Sequence, residues 1–137
     1  MPKPALTPKD IEQRTPVWLA LSQLWGREEL DDRALYQIAE VMVDSGYSPT
    51  ELRVICDVEV APIMSKRLKL AAEERKDLDP HWLREQILAE LAKPPRWQDA
   101  LFGSMLNPWR HMHIASQWPI LMVKFQLIRR MQSHIEL

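Results

Sequence analysis

The sequence predicts a single all-α domain, an irregular helical bundle of six to eight short helices, and three observations predict it. Glycine occurs only at 26, 46 and 103, with no Asn-Gly or Asp-Gly pair, so tight hairpins are scarce. Ala, Leu, Glu, Arg and Gln are abundant, and these residues lose little side-chain freedom in a helix. Five of the eleven prolines follow a residue able to cap a helix: Thr7-Pro8, Thr15-Pro16, Ser48-Pro49, Asp79-Pro80 and Asn107-Pro108. A capping side chain accepts a hydrogen bond from an orphan N–H of the first turn. Proline in the next position has the right φ and lacks only an N–H that would go unpaired. Each pair therefore predicts a helix start. With 137 residues, one domain spanning 1–137 is expected, its core in 15–93 and a C-terminal helical segment, 96–137, packed on it.

In chain order, the first helix is expected over Pro8 to Arg14, short and polar, anchored by Ile11. The second, Pro16 to Trp25, is apolar nearly all round, with only Ser22 and Gln23 polar. A helix without a wide polar face belongs inside, so this is the expected central helix, ended by Gly26. Asp31 or Asp32 can cap the third, where Leu35, Ile38, Ala39 and Met42 repeat at helical spacing up to Gly46. Ser48-Pro49-Thr50-Glu51 fits a capping box, with Tyr47 and Leu52 at the positions of a hydrophobic staple. The fourth helix, with Leu52, Ile55 and Cys56 inward, is expected to end before Pro62. Met64, Leu68 and Ala71 suggest a fifth over Ile63 to Leu78. Asp79-Pro80 begins another, whose face is Leu83, Ile87, Leu88 and Leu91. Pro94-Pro95 ends it and forms the one linker. Short helices follow at Trp97–Phe102 and from Asn107-Pro108 to about Ser116. The last has Pro119 in its first turn and Leu121, Met122, Phe125, Ile128 and Met131 at helical spacing. Residues 120–123 are consecutively apolar, so this helix too is expected to be largely buried.

Composition narrows the function more than it identifies it. Cys56 is the lone cysteine, so no intrachain disulfide is possible; it reads as a small buried hydrophobe. The N-terminus has no apolar run of the secretory kind. The longest apolar stretch, Trp118 to Val123, is far short of the roughly 18 residues of a membrane span. A cytoplasmic location is expected. His111 and His113, two apart, point about 200° apart on a helix and cannot share a metal ion there. His81 and Glu85 have the spacing of a surface contact. No metal or cofactor is expected, and no catalytic residue is assigned.

Charge is uneven. Residues 1–62 hold six Lys and Arg against eleven Asp and Glu, a net −5, and residues 63–137 hold twelve against eight, a net +4. The cluster Glu28, Glu29, Asp31 and Asp32 could supply paired carboxylates for acid–base work, but a helix N-terminus already accounts for it. The third and fourth helices have the outline of a helix-turn-helix, yet the would-be reading helix sets Glu51, Asp57 and Glu59 against a lone Arg53, a balance that phosphates repel. Six tryptophans read mainly as core, with Trp97, Trp109 and Trp118 near helix breaks as candidates for an interface.

The runs Arg14-Thr15-Pro16-Val17-Trp18-Leu19-Ala20-Leu21-Ser22, Gly46-Tyr47-Ser48, Glu51-Leu52 and Glu59-Val60-Ala61-Pro62 resemble a bacterial family of small helical domains of unknown function. The resemblance covers about Arg14 to Leu91 and leaves the segment after Pro94 outside. That family implies no activity, so no site residue is carried over.

The expectation is a small non-catalytic protein-binding module, an immunity or adaptor protein by analogy with acidic-faced helical proteins. A basic partner protein would be steered to a face of Glu28, Glu29, Asp31, Asp32, Asp57 and Glu59, with Trp97 and Trp109 as further contacts. The alternatives are a homodimer formed through the C-terminal Trp/Met-rich helix, or a nucleic-acid-associated helical protein. No membrane partner is expected.

Overall fold

Thr7 opens the first helix with a reciprocal capping box. Its hydroxyl accepts from Asp10 N–H at 3.1 Å, and the Asp10 carboxylate accepts from Thr7 N–H at 3.0 Å. The computed structural model describes residues 6–25, 30–68, 79–93 and 116–135, all helix or connecting turn with no strand among them. These residues form α1 (Pro8–Ser22, continued by a 3-10 turn, Gln23–Trp25), α2 (Asp32–Asp44), α3 (Pro49–Val54), a π-helical turn (Ile55–Val60), α4 (Ala61–Leu68), α5 (Pro80–Ala92) and α6 (Trp118–Ile135).

The all-α class stands, but the expected count of six to eight helices does not describe these residues, which form five continuous rods. Two prolines expected to divide helices lie within them. Pro16 sits inside α1 rather than starting a second helix. Its missing N–H leaves the carbonyl of exposed Glu12 to solvent, and the Thr15 hydroxyl donates to the Ile11 carbonyl at 2.6 Å. Continuing the helix keeps every later bond and buries Val17, Trp18, Ala20, Leu21, Leu24 and Trp25, which outweighs one lost hydrogen bond. Pro62 likewise fails to end its helix. Just before it the backbone widens into the π turn, where Ala61 N–H reaches back to the Cys56 carbonyl. A widened turn relieves the crowding between a proline ring and the carbonyl four residues earlier. Of the expected Ile63–Leu78 helix, the part to Leu68 continues this rod, and 69–78 lie outside the described residues.

Three other starts occur where the capping residues place them. Asp31 accepts from Ala34 N–H at 2.8 Å, Ser48 from Glu51 N–H at 3.1 Å, and Asp79 from His81 N–H at 3.0 Å. At Ser48 the expected box is only half formed, because the Glu51 carboxylate accepts from the Ser48 hydroxyl rather than its backbone N–H. Gly46 closes α2 with φ +80°, a conformation that disfavours a Cβ. Gly26, Asn107-Pro108, Pro94-Pro95 and the helices expected in 96–115 fall outside the described residues.

α1 packs against α2, the π turn and α5, and α6 lies chiefly along α2. Trp18, Ile38, Met42, Leu52, Met64, Leu83, Ile87, Leu121 and Phe125 form the centre, each at most 2% exposed. Two expected faces differ. Leu91 in α5 is open to solvent, and α6 is not largely buried but two-sided. No helix among the described residues is long and apolar enough to cross a membrane.

Candidate docking surface

The most elaborate polar arrangement is internal. Glu59, carried on the π turn, is only 7% exposed. Its Oε1 accepts from Trp18 Nε1 at 2.8 Å, and its Oε2 is paired with Arg14 Nη1. Arg14 in turn donates from Nε to the Tyr47 hydroxyl at 3.3 Å and lies beside that ring. One carboxylate thus ties α1, the α2–α3 turn and the π turn together. Its charge is spent on a neighbouring cation inside the fold, so Glu59 is not part of an outward acidic face, as the sequence suggested. Helical spacing could not separate Glu59 from exposed Glu51 by charge alone; the apolar neighbours Ile55, Cys56 and Ile63, three and four residues away, are the signal that its face turns inward.

The other residues of that expected face are not brought together as one free surface either. Asp57 is half-buried, pairs with Arg53 at 3.0 Å, and its Oδ1 is buried without a donor among the described residues. Asp31 is engaged as the cap of α2. Asp32 is exposed, 3.6 Å from Lys124 of α6. Glu28, Glu29, Trp97 and Trp109 lie outside the described residues, as do His111 and His113. His81 and Glu85 make the expected surface contact, at 3.9 Å. Cys56 is buried, and desolvation pushes its thiol up to about 12, with Asp57 adding to the rise and Arg53 opposing it. Such a thiol is a packing group rather than a nucleophile.

The surface that stands out is the outer side of α6. Leu121, Phe125 and Ile128 face the core, at most 6% exposed. On the outer side Ile120 is 42%, Val123 70%, Leu127 51% and Met131 48% exposed. These four recur at intervals of three and four residues, so they form one row along the helix, about 16 Å long at 1.5 Å per residue. Isolated exposed apolar residues are ordinary; a row of four on one helix face is the pattern of a contact surface. Beside the C-terminal half of the row, and lined by none of its four residues, is an open hollow of about 290 Å³ formed by Gln126, Arg129, Arg130, Ser133 and His134. Arg129 and Ser133 also border a groove of about 360 Å³ whose far wall includes Tyr47 and Glu51. The periodicity of 118–131 was legible beforehand, but with apolar residues on both sides of the helix it did not say which side faces inward.

No curated protein and no solved structure matches the chain. A family model does, over residues 12–124. That span includes the segment after Pro94, which the resemblance read from sequence had left outside, and it stops within α6, before Arg129 and Arg130. The chain belongs to the family described as a domain of unknown function, DUF7079.

Proposed function

We propose that this chain is a non-catalytic protein-binding module that engages another protein through the outer side of α6. The supporting observation is the row Ile120, Val123, Leu127 and Met131, held open on a helix whose other side is locked into the core by Leu121, Phe125 and Ile128. A helix fixed on one side presents the other at little conformational cost, and pre-organisation of this kind leaves more of the contact energy for affinity. An adaptor or immunity role is a use to which such a module is suited. The acidic face expected from composition is the weaker basis, because Glu59, Asp57 and Asp31 already have partners within the fold.

The test places a photo-crosslinking amino acid at Val123 or Leu127, and for control at exposed Gln37 on α2, in the chain expressed in its own cells. One protein captured at 123 and 127 but not at 37, whose binding to the purified chain is lost with Leu127→Glu, is the expected result. Equal capture at all three positions, or binding indifferent to Leu127→Glu, sinks the proposal.

A second reading, self-association through the same helix, is favoured by the location of the row on the C-terminal helix. Charge opposes it. Residues 116–137 contain Lys124, Arg129 and Arg130 against the single carboxylate side chain of Glu136. Light scattering of the purified chain at high concentration separates the two, a doubled mass supporting the second.

A further inference from the structure

We infer that the occupant of α6 is an amphipathic helix of the partner protein whose apolar residues give way to Asp and Glu where it passes Arg130 and His134; the inference rests on the docking role proposed above. Ile120, Val123, Leu127, Arg130 and His134 follow one another at alternating steps of three and four, the seam of a two-helix contact. The first three are apolar and the last two are not, with Met131 of the outer row beside Arg130. A helix laid along this seam therefore needs apolar residues for about two turns and hydrogen-bond-accepting or anionic ones beyond. The positive charge at the end of the seam makes those anionic.

Among the described residues no carboxylate pairs with Arg130, the cation at the end of the seam. Lys124, by contrast, is 18% exposed and sits near Asp32. Arg130 is exposed; Arg129, one residue off the seam, lies over the Phe125 ring at 5.5 Å and borders the groove that Glu51 also lines. The C-terminal end of α6 carries a dipole of roughly half a negative charge, which two guanidinium groups exceed.

A second copy fits poorly. Packed antiparallel, Arg130 of one copy would meet Ile120 and the positive helix start of the other; packed parallel, it would meet its own counterpart. Neither sets a carboxylate of residues 116–135 against it. A membrane surface also fits poorly. Helices that lie in the interface present a broad apolar face with Trp or Phe in it. Here the row is narrow and the aromatics are turned away: Phe125 is 1% exposed, and Trp118 is half-buried with Arg53 at 5.0 Å from its ring.

The test is a yeast-displayed library of 18-residue helical peptides, with seam and flanking positions randomised, sorted against the purified full-length chain. Enriched clones are expected to keep apolar residues at a/d spacing and to gather Asp and Glu at one end. Arg129→Glu with Arg130→Glu should weaken a representative clone by about tenfold or more, and exchanging its acids for Lys should restore binding to that variant. Both substitutions are at exposed positions, and far-UV circular dichroism checks that the variant folds. Enriched clones with neutral or basic ends, indifferent to the Arg variants but lost with Leu127→Glu, overturn the acidic end and leave the docking role standing. No enrichment above a Leu127→Glu bait overturns both. A doubled mass of the chain alone, or Leu127-dependent binding to vesicles containing phosphatidylserine, overturns the inference in favour of a second copy or a membrane.

Discussion

Glu59 is the residue whose surroundings depart furthest from its type. A carboxylate taken out of water is tolerated only when its charge and lone pairs are met, and here Arg14 and Trp18 meet them. Removing one partner of such a pair strands the other. Glu59→Ala is expected to destabilise the fold by about 3 kcal/mol, at the low end for a buried pair because Arg14 reaches solvent. Glu59→Gln, which keeps an acceptor for Trp18, should cost about 1–2 kcal/mol. Urea unfolding checks both, and a loss below about 0.5 kcal/mol for the alanine variant would show that the cluster is not an anchor. The cluster was half legible. Arg14, Trp18, Tyr47 and Glu59 all occur in the runs that carry the family resemblance, but no local spacing says that residues 41 and 45 positions apart touch. Cys56, one helical turn earlier, gives the pH dependence. Burial raises its thiol from 9.0 to about 12, so the unfolded chain ionises first. Its contribution is therefore fully present below pH 9 and is lost as pH rises through the window up to about 12. Ellman's reagent at pH 8 to 9 should leave Cys56 unmodified in the native chain and label it at once in denaturant; rapid native labelling contradicts the burial.

At the scale of elements, four expected starts and the stop at Gly46 were legible, and the proline signals at Thr15-Pro16 and Pro62 misled. Thr7, Asp31, Ser48 and Asp79 cap helices because capping depends on bonds within one turn, and one turn of sequence contains them. Whether a proline ends a helix depends on what lies beyond it. Past Pro16 come Val17 to Trp25, and past Pro62 come Ile63 and Met64, all needed by the core except half-buried Leu19 and exposed Gln23. Tertiary burial overrode the local signal at both. At Pro16 the overridden penalty remains in the fold. Pro16→Ala restores a bond to the Glu12 carbonyl at an exposed position and is expected to stabilise by about 1–2 kcal/mol, the helix gain less the greater freedom of the unfolded chain. A destabilised variant would mean that the ring packs or pre-forms the helix. Gly46→Ala tests the opposite kind of position. Among the described residues only Gln13 Nε2 comes within 4 Å of an added Cβ, at 3.9 Å, so space is not the obstacle; the φ of +80° is, and about 1 kcal/mol should be lost in thermal or urea unfolding.

For the whole molecule, α6 is the element that decides both stability and the outward surface. It lies along α2, the helix whose Leu35, Ile38, Ala39 and Met42 would otherwise lack part of their cover. Its two sides should therefore respond oppositely to substitution two residues apart. Phe125→Ala empties a site that is 1% exposed, and the cavity plus lost transfer energy amounts to about 3–5 kcal/mol, a large fraction of what holds a domain of this size together. Leu127→Glu replaces a half-exposed side chain with a hydrated one and should move stability by no more than about 0.5 kcal/mol while abolishing partner binding. The contrast separates a docking surface from a structural one, because a helix that merely closes the core gives no reason for binding to track 127 rather than 125. Equal destabilisation by the two substitutions would place the outer row under cover. A Leu127→Glu variant that folds, binds and crosslinks as the parent does would leave the row without a role. The expected pair of results, stability lost at 125 alone and binding lost at 127 alone, ties the packing of α6 to its function through a single helix.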